Sequence, residues 1–121
     1  MANTITVTTC NDEIIFYLYN CYGSYKFFHL RGAFSDQTVT LTITPGQYQT
    51  GIEYYADSGP CNFTIYVNPG AYYISMVGIN WGLTTPNFIG SINSYSFNSG
   101  ELPNVIGVAY SLQNDPVSIT V

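Results

Sequence analysis

The chain is 121 residues long, 46% hydrophobic and 17% aromatic, yet only 7% of it is charged, with a net charge of −5. Its two cations, Lys26 and Arg31, exclude a nucleic-acid binder, which needs several Lys and Arg to displace counterions, and the acidic balance excludes adhesion to an anionic membrane surface. No apolar run is long enough for a membrane span, and the aromatic and β-branched content excludes disorder.

The length predicts one domain over 1–121, since domains run to about 100–150 residues. Helix formers are scarce and Gly or Pro interrupts every long stretch, so the expected elements are strands. They fall near 4–9, 13–19, 25–31, 38–44, 48–56, 62–67, 71–79, 88–97, 104–112 and 117–121. Residues 38–44 alternate strictly, with Val39, Leu41 and Ile43 on one face and threonines on the other, and Phe63, Ile65 and Val67 alternate in the same way. This is the period-2 pattern of half-buried strands. Pro45-Gly46 and Pro69-Gly70 each follow a strand and precede a Tyr, which predicts two similar hairpin turns. The expected fold is all-β, an antiparallel β-sandwich of jelly-roll or Ig-like type with about nine or ten strands.

Two strands are apolar on both faces: 14–19, through Ile15, Tyr17 and Tyr19, and 105–110, through Ile106, Val108 and Tyr110. A two-layer sandwich buries only one face of each sheet, so a second cover is expected. A homo-oligomer, foremost a dimer, supplies it, in line with the charge depletion of interface cores.

If each connection reverses the chain, alternate connections share one end. That end then collects Asn11-Asp12-Glu13, the segments 32–36, 57–60 and 80–87, and Asn114-Asp115-Pro116, with five of the seven acids and the lone Trp. A further turn within 91–95 would move only the last of these. The sequence lacks a basic, apolar leader and any C-x-x-C, and its three cysteines, Cys10, Cys21 and Cys61, are expected to be reduced in a cytoplasmic or non-classically secreted protein. Cys10 and Cys61 share an end, so one bridge is geometrically open to them.

Hydrolase chemistry finds little support. The single His29 sits inside the strand 25–31, sharing a face with Tyr25, Phe27 and Arg31, and no G-x-S-x-G occurs. Nothing fixes a spacing for paired carboxylates, no calcium loop is present, and no cofactor or metal site is expected. Sugar recognition needs flat amphipathic rings and planar polar groups and no charge. Twelve Tyr, seven Phe and one Trp fit that requirement. The candidate ligand-binding residues are Trp81 and Asn80 in the Gly-flanked loop, Asn87 beyond it, Tyr55 and Asp57 beside the next loop, and Asp36 and Arg31 at the end of strand 25–31. Arg31 is placed to fork onto adjacent hydroxyls or to pair with Asp36.

As a whole-chain profile, small, acidic, Lys-poor and rich in Tyr, Asn and Gly, the sequence resembles the leaderless cytosolic β-sandwich lectins of fungal fruiting bodies and some bacteria. The resemblance matches no family motif, and so assigns no residue. It implies glycan binding without catalysis, as a homodimer, in a defensive role. The alternative is a self-assembling structural subunit of a filament, coat or crystal.

Overall fold

The computed structural model describes residues 3–23, 25–48, 51–56, 61–82, 85–113 and 115–121. Eleven strands are formed among them: β1 (Asn3–Thr9), β2 (Glu13–Tyr19), β3 (Tyr25–Arg31), β4 (Val39–Pro45), β5 (Glu53–Tyr55), β6 (Cys61–Val67), β7 (Ala71–Ile79), β8 (Ile89–Ile92), β9 (Tyr95–Asn98), β10 (Ala109–Ser111) and β11 (Val117–Thr120). They make an all-β sandwich. One sheet has the order β6-β4-β1-β8-β9, the other β10-β7-β2-β3-β5, with β11 also on β7.

The sheets are mixed rather than purely antiparallel. β3 pairs with β5, and β4 with β6, in parallel. The chain does reverse at each of these connections, but the intervening strand lies in the other sheet, so strands two apart become parallel neighbours. The two Pro-Gly segments show the same thing. Neither closes a hairpin; each carries the chain from the first sheet to the second, β4 to β5 and β6 to β7. Two further expectations change. The run 88–97 is a true hairpin, β8–β9, turning at Asn93 with φ of 51°. The run 104–112 yields only β10, because Gly107 takes φ of +82° and turns the chain, leaving Val105, Ile106 and Val108 exposed.

The core lies between the sheets. Ile5, Val7, Val39, Leu41 and Ile43 from the first sheet meet Ile14, Phe16, Leu18, Phe28, Leu30, Ile74 and Met76 from the second, all of them buried. Each side chain of this size contributes about 1.5–3 kcal/mol when fully buried. Phe88, also fully buried, lies where a Cβ on Gly78 would stand 2.6 Å from its ring, so this glycine on β7 makes room for it.

The two outer faces differ. The first sheet turns Thr4, Thr6, Thr40, Thr42 and Thr64 outward, with Thr4 opposite Thr42 and Thr6 opposite Thr40. The second sheet turns outward aromatic, aliphatic and charged side chains in four rungs, set by register. Tyr55, Arg31, Glu13 and Ile79 form the first; Glu53, His29, Ile15 and Val77 the second; Phe27, Tyr17 and Ser75 the third; Tyr25, Tyr19 and Tyr73 the fourth. The six residue-to-residue steps from Glu13 to Tyr19 give this face a length of about 20 Å.

The first rung lies at the end expected to gather acids. Cys10 bridges Phe34, Asp12 N–H donates to Ile79 O, and Gly32 N–H donates to Asp12 O, which joins the ends of β1, β3 and β7. Residues 112–116 do not belong there. β10 and β11 follow one another along the same edge of β7, and the 99–108 segment takes that place, with Gly107 N–H donating to Asn80 O. Cys10 is a buried free thiol, so the Cys10–Cys61 bridge is not formed, and Cys21 is free and exposed.

Candidate functional site

The centre of the charged end is Glu13, the first residue of β2. Register sets it on the outer face, yet its side chain is only 2% exposed. A buried carboxylate is costly unless its oxygens are met by donors. Here they are. The Trp81 indole Nε1–H donates to Oε1 at 2.8 Å, and the His29 ring meets Oε2 through Nδ1 at 2.6 Å. Arg31 Nε stands 3.4 Å from the same Oε2 and 3.1 Å from Glu53 Oε1, shared between two carboxylates and aligned on neither.

Trp81 is strapped by two consecutive acids. Its backbone N–H donates to Asp12 Oδ2 at 3.0 Å while its indole reaches Glu13. It remains 52% exposed and so closes the end of the face while presenting an indole surface to solvent. Gly107 packs beneath it, a Cβ there falling 3.5 Å from the ring. Tyr55 O–H donates to Glu53 Oε2 at 2.6 Å, two residues along β5 on the same face. That bond, helped by Arg31 and His29, holds the Glu53 carboxyl below the ordinary range, and the same bond holds the Tyr55 phenol above its own.

At the opposite end the fourth rung lines up three tyrosines across three strands. Tyr19 and Tyr73 have ring centroids 5.8 Å apart, as do Tyr17 and Tyr25, both pairs tilted. Tyr25 is 61% and Tyr73 46% exposed. The Tyr19 hydroxyl shares a hydrogen bond with Ser75 Oγ at 3.2 Å, which fixes the central ring.

Of the residues singled out in the sequence, Trp81, Arg31 and Tyr55 come together, through Glu13 and Glu53. Asn80 is fully buried behind them, its amide donating to Asn104 Oδ1 at 2.8 Å and its Oδ1 accepting from Gly82 N–H, so it shapes the loop rather than facing a ligand. Asn87 is half-buried beside Ser99. Asp36 is exposed in the β3–β4 link, and the carboxylates facing Arg31 among the described residues are Glu13 and Glu53 instead. Asp57 lies outside the described residues. Sequence reasoning missed Glu13, His29 and Glu53 as a group.

Those three present one imidazole and two carboxylate ligand atoms within 4.8 Å of one another, a donor set suited to a divalent transition metal. Arg31 already places a cation among them, and a metal would have to displace its Nε from both carboxylates. As it stands, the cluster is a charge-paired support for Trp81 and Tyr55.

Comparison with protein-family models, curated proteins and solved structures finds no match to this chain.

Proposed function

We propose that the protein is a non-catalytic glycan-binding protein, a lectin, that takes an oligosaccharide along the outer face of the β10-β7-β2-β3-β5 sheet. The observation that carries this reading is the Tyr25–Tyr19–Tyr73 rung, exposed at Tyr25 and Tyr73 and continuous with Tyr17 and Phe27. Sugar rings offer C–H faces to such platforms and hydroxyls at their edges. Glu53, Arg31 and Tyr55 supply planar hydrogen-bonding groups at the far end of the face, next to the exposed indole of Trp81. Two contact zones about 20 Å apart suit an extended ligand better than a monosaccharide. The face also carries Glu13, His29, Arg31 and Glu53 on its first two rungs, whereas the core of an obligate protein interface is depleted in such groups. That favours a hydroxylated ligand over a second copy as its occupant.

A glycan array on the purified protein tests the reading. Tyr25→Ala and Tyr73→Ala, both at exposed positions, should each weaken binding by about 1–3 kcal/mol, as stacking losses do elsewhere. A blank array with folded protein refutes it, as does an affinity indifferent to both substitutions.

A second reading, self-assembly, rests on a separate observation. Val105, Ile106 and Val108 are exposed in one segment beside Trp81. Such a strip is material for a homodimer contact, which would make a single-site lectin multivalent and raise its avidity by about 10²–10⁴. Light scattering decides: a dimer mass supports a multivalent lectin, and a filament supports the structural subunit.

A further inference from the structure

The sandwich is open along the edge where β5 of one sheet faces β6 of the other. Tyr54 from β5 lies against Phe63 from β6 and against Phe28 from β3, with ring centroids 5.2 and 6.3 Å apart. Beside this aromatic contact is a cavity of about 320 Å³. Phe28, Ile52 and Ile65 give it an apolar lining, and Phe28 and Ile65 are core residues. Tyr48 adds a further aromatic ring, and the β6 edge at Thr64 and Tyr66 borders the opening.

The polar groups around the cavity are few and neutral. Tyr48 is not free to turn. Its hydroxyl donates to Phe27 O and accepts from Phe27 N–H and Gly51 N–H, so its ring is a fixed wall. Lys26 is held over that ring, 4.8 Å from its centroid, and does not line the cavity. The Tyr54 hydroxyl, in contrast, meets no hydrogen-bond partner among the described residues, although burial beside Tyr48 pushes its titration upward. This hydroxyl is not a buried unpartnered atom; it is open to solvent and available to a ligand's hydroxyl or carbonyl. Gln47 offers an amide at the rim.

Volume and lining together define the occupant. Interiors are close-packed, and an apolar void of about 150 Å³ already takes up benzene. This cavity is roughly twice that size and falls at the lower end of the 300–1,000 Å³ range of ligand pockets. Its tyrosine rings select flat molecules, and its uncharged lining leaves an anion or cation without compensation. We propose that this inter-sheet cavity is a binding site for a neutral, planar, two-ring aromatic molecule carrying a hydroxyl or carbonyl, with Tyr54 as the polar anchor. It lies in the gap between the sheets, apart from the outer face, and is independent of what that face binds.

The test is titration of the ¹⁵N-labelled protein with 2-naphthol, with 2-naphthalenesulfonate and methyl glucoside as comparison probes. Saturable 1:1 shifts by 2-naphthol in the amides of residues 47, 48, 52, 54 and 64–66 are expected, with the sulfonate at least tenfold weaker. Ile52→Trp, at a half-buried lining position on the inner side of the chain from Glu53, should fill the cavity and abolish the shifts. Tyr54→Phe should weaken 2-naphthol severalfold while leaving naphthalene unchanged. The proposal is overturned if 2-naphthol does not saturate or the sulfonate binds as well. It is equally overturned if methyl glucoside shifts the same amides at lower concentration, or if both variants bind 2-naphthol like the parent protein while retaining its thermal midpoint.

Discussion

Glu13→Ala is the sharpest probe of the charged end of the face. The substitution removes the acceptor of the Trp81 indole, the partner of His29 Nδ1 and one of the two carboxylates beside Arg31. A charge-assisted hydrogen bond in a buried setting is worth about 1.5–3 kcal/mol, and breaking a fully buried pair costs about 3–5 kcal/mol. Both figures must be reduced here. Trp81 and Arg31 are 52% and 41% exposed and regain water, and Arg31 keeps Glu53 at 3.1 Å. The replacement also removes the desolvation of Glu13 itself. A net loss of about 2–3 kcal/mol follows, or roughly 8–12 °C in thermal midpoint for a chain of this size. Glu13→Gln keeps an oxygen for Trp81 and should lose about half as much. Urea unfolding followed by far-UV circular dichroism measures both, since the fluorescence of the single Trp81 is itself perturbed. A loss below about 0.5 kcal/mol for Glu13→Ala, the scale of an ordinary surface change, would refute the claim that Glu13 organises this end.

Glu53, held below the ordinary carboxyl range by Tyr55 first and then Arg31, contributes stability that is fully present above about pH 4.5 and is lost as pH falls through its lowered folded value; Glu53→Gln should flatten the acid limb of a melting-temperature profile. Cys21, exposed and free, should react with a thiol reagent in the native state, whereas Cys10, whose thiol is pushed far up by burial and then by Asp12 and Glu13, should react only on unfolding; mass spectrometry after a timed native labelling checks the order. Gly78→Ala would drive a Cβ to 2.6 Å from the fully buried Phe88 ring and should cost about 1–3 kcal/mol by chemical denaturation, with Phe88→Leu restoring part of it.

Much of the face was legible in the sequence. The strands 13–19, 25–31 and 71–79 fall where alternation and turn residues set them. The β2–β3 hairpin is symmetric about residue 22, and that symmetry alone pairs Glu13 with Arg31 and Ile15 with His29. Glu13 escaped notice because it follows Asn11-Asp12 and reads as turn chemistry, although it begins a strand. Glu53 could not be found this way. It reaches the cluster through a parallel pairing of β5 with β3, and no local pattern reports a partner separated by a strand in the other sheet. The segment 105–108 misled because composition cannot weigh one positive-φ glycine against three strand formers, Val105, Ile106 and Val108. Asn80 misled for another reason: a polar residue next to a loop Trp looks like a ligand contact until its amide is found closing the loop on Asn104 and Gly82.

The strongest support for the proposed ligand face is internal to the fold. Each sheet must dispose of one outer face. The first sheet does so mostly with threonines, whose hydroxyls water can satisfy and whose branched Cβ suits the strand, with Tyr66 on its edge strand. The same solution was open to the second sheet, whose strands are equally regular. Instead that sheet exposes tyrosines at one end and at the other buries a carboxylate that needs an indole, an imidazole and a guanidinium to hold it. Packing does not require either feature, because the core is complete on the inner side of β2, β3 and β7. Stability does not favour them, since a buried charge pair seldom outperforms apolar side chains of similar volume. What the arrangement does achieve is to hold Trp81, Tyr55 and Arg31 in place at one end of a tyrosine-bearing surface, and that is the support for the proposed glycan site.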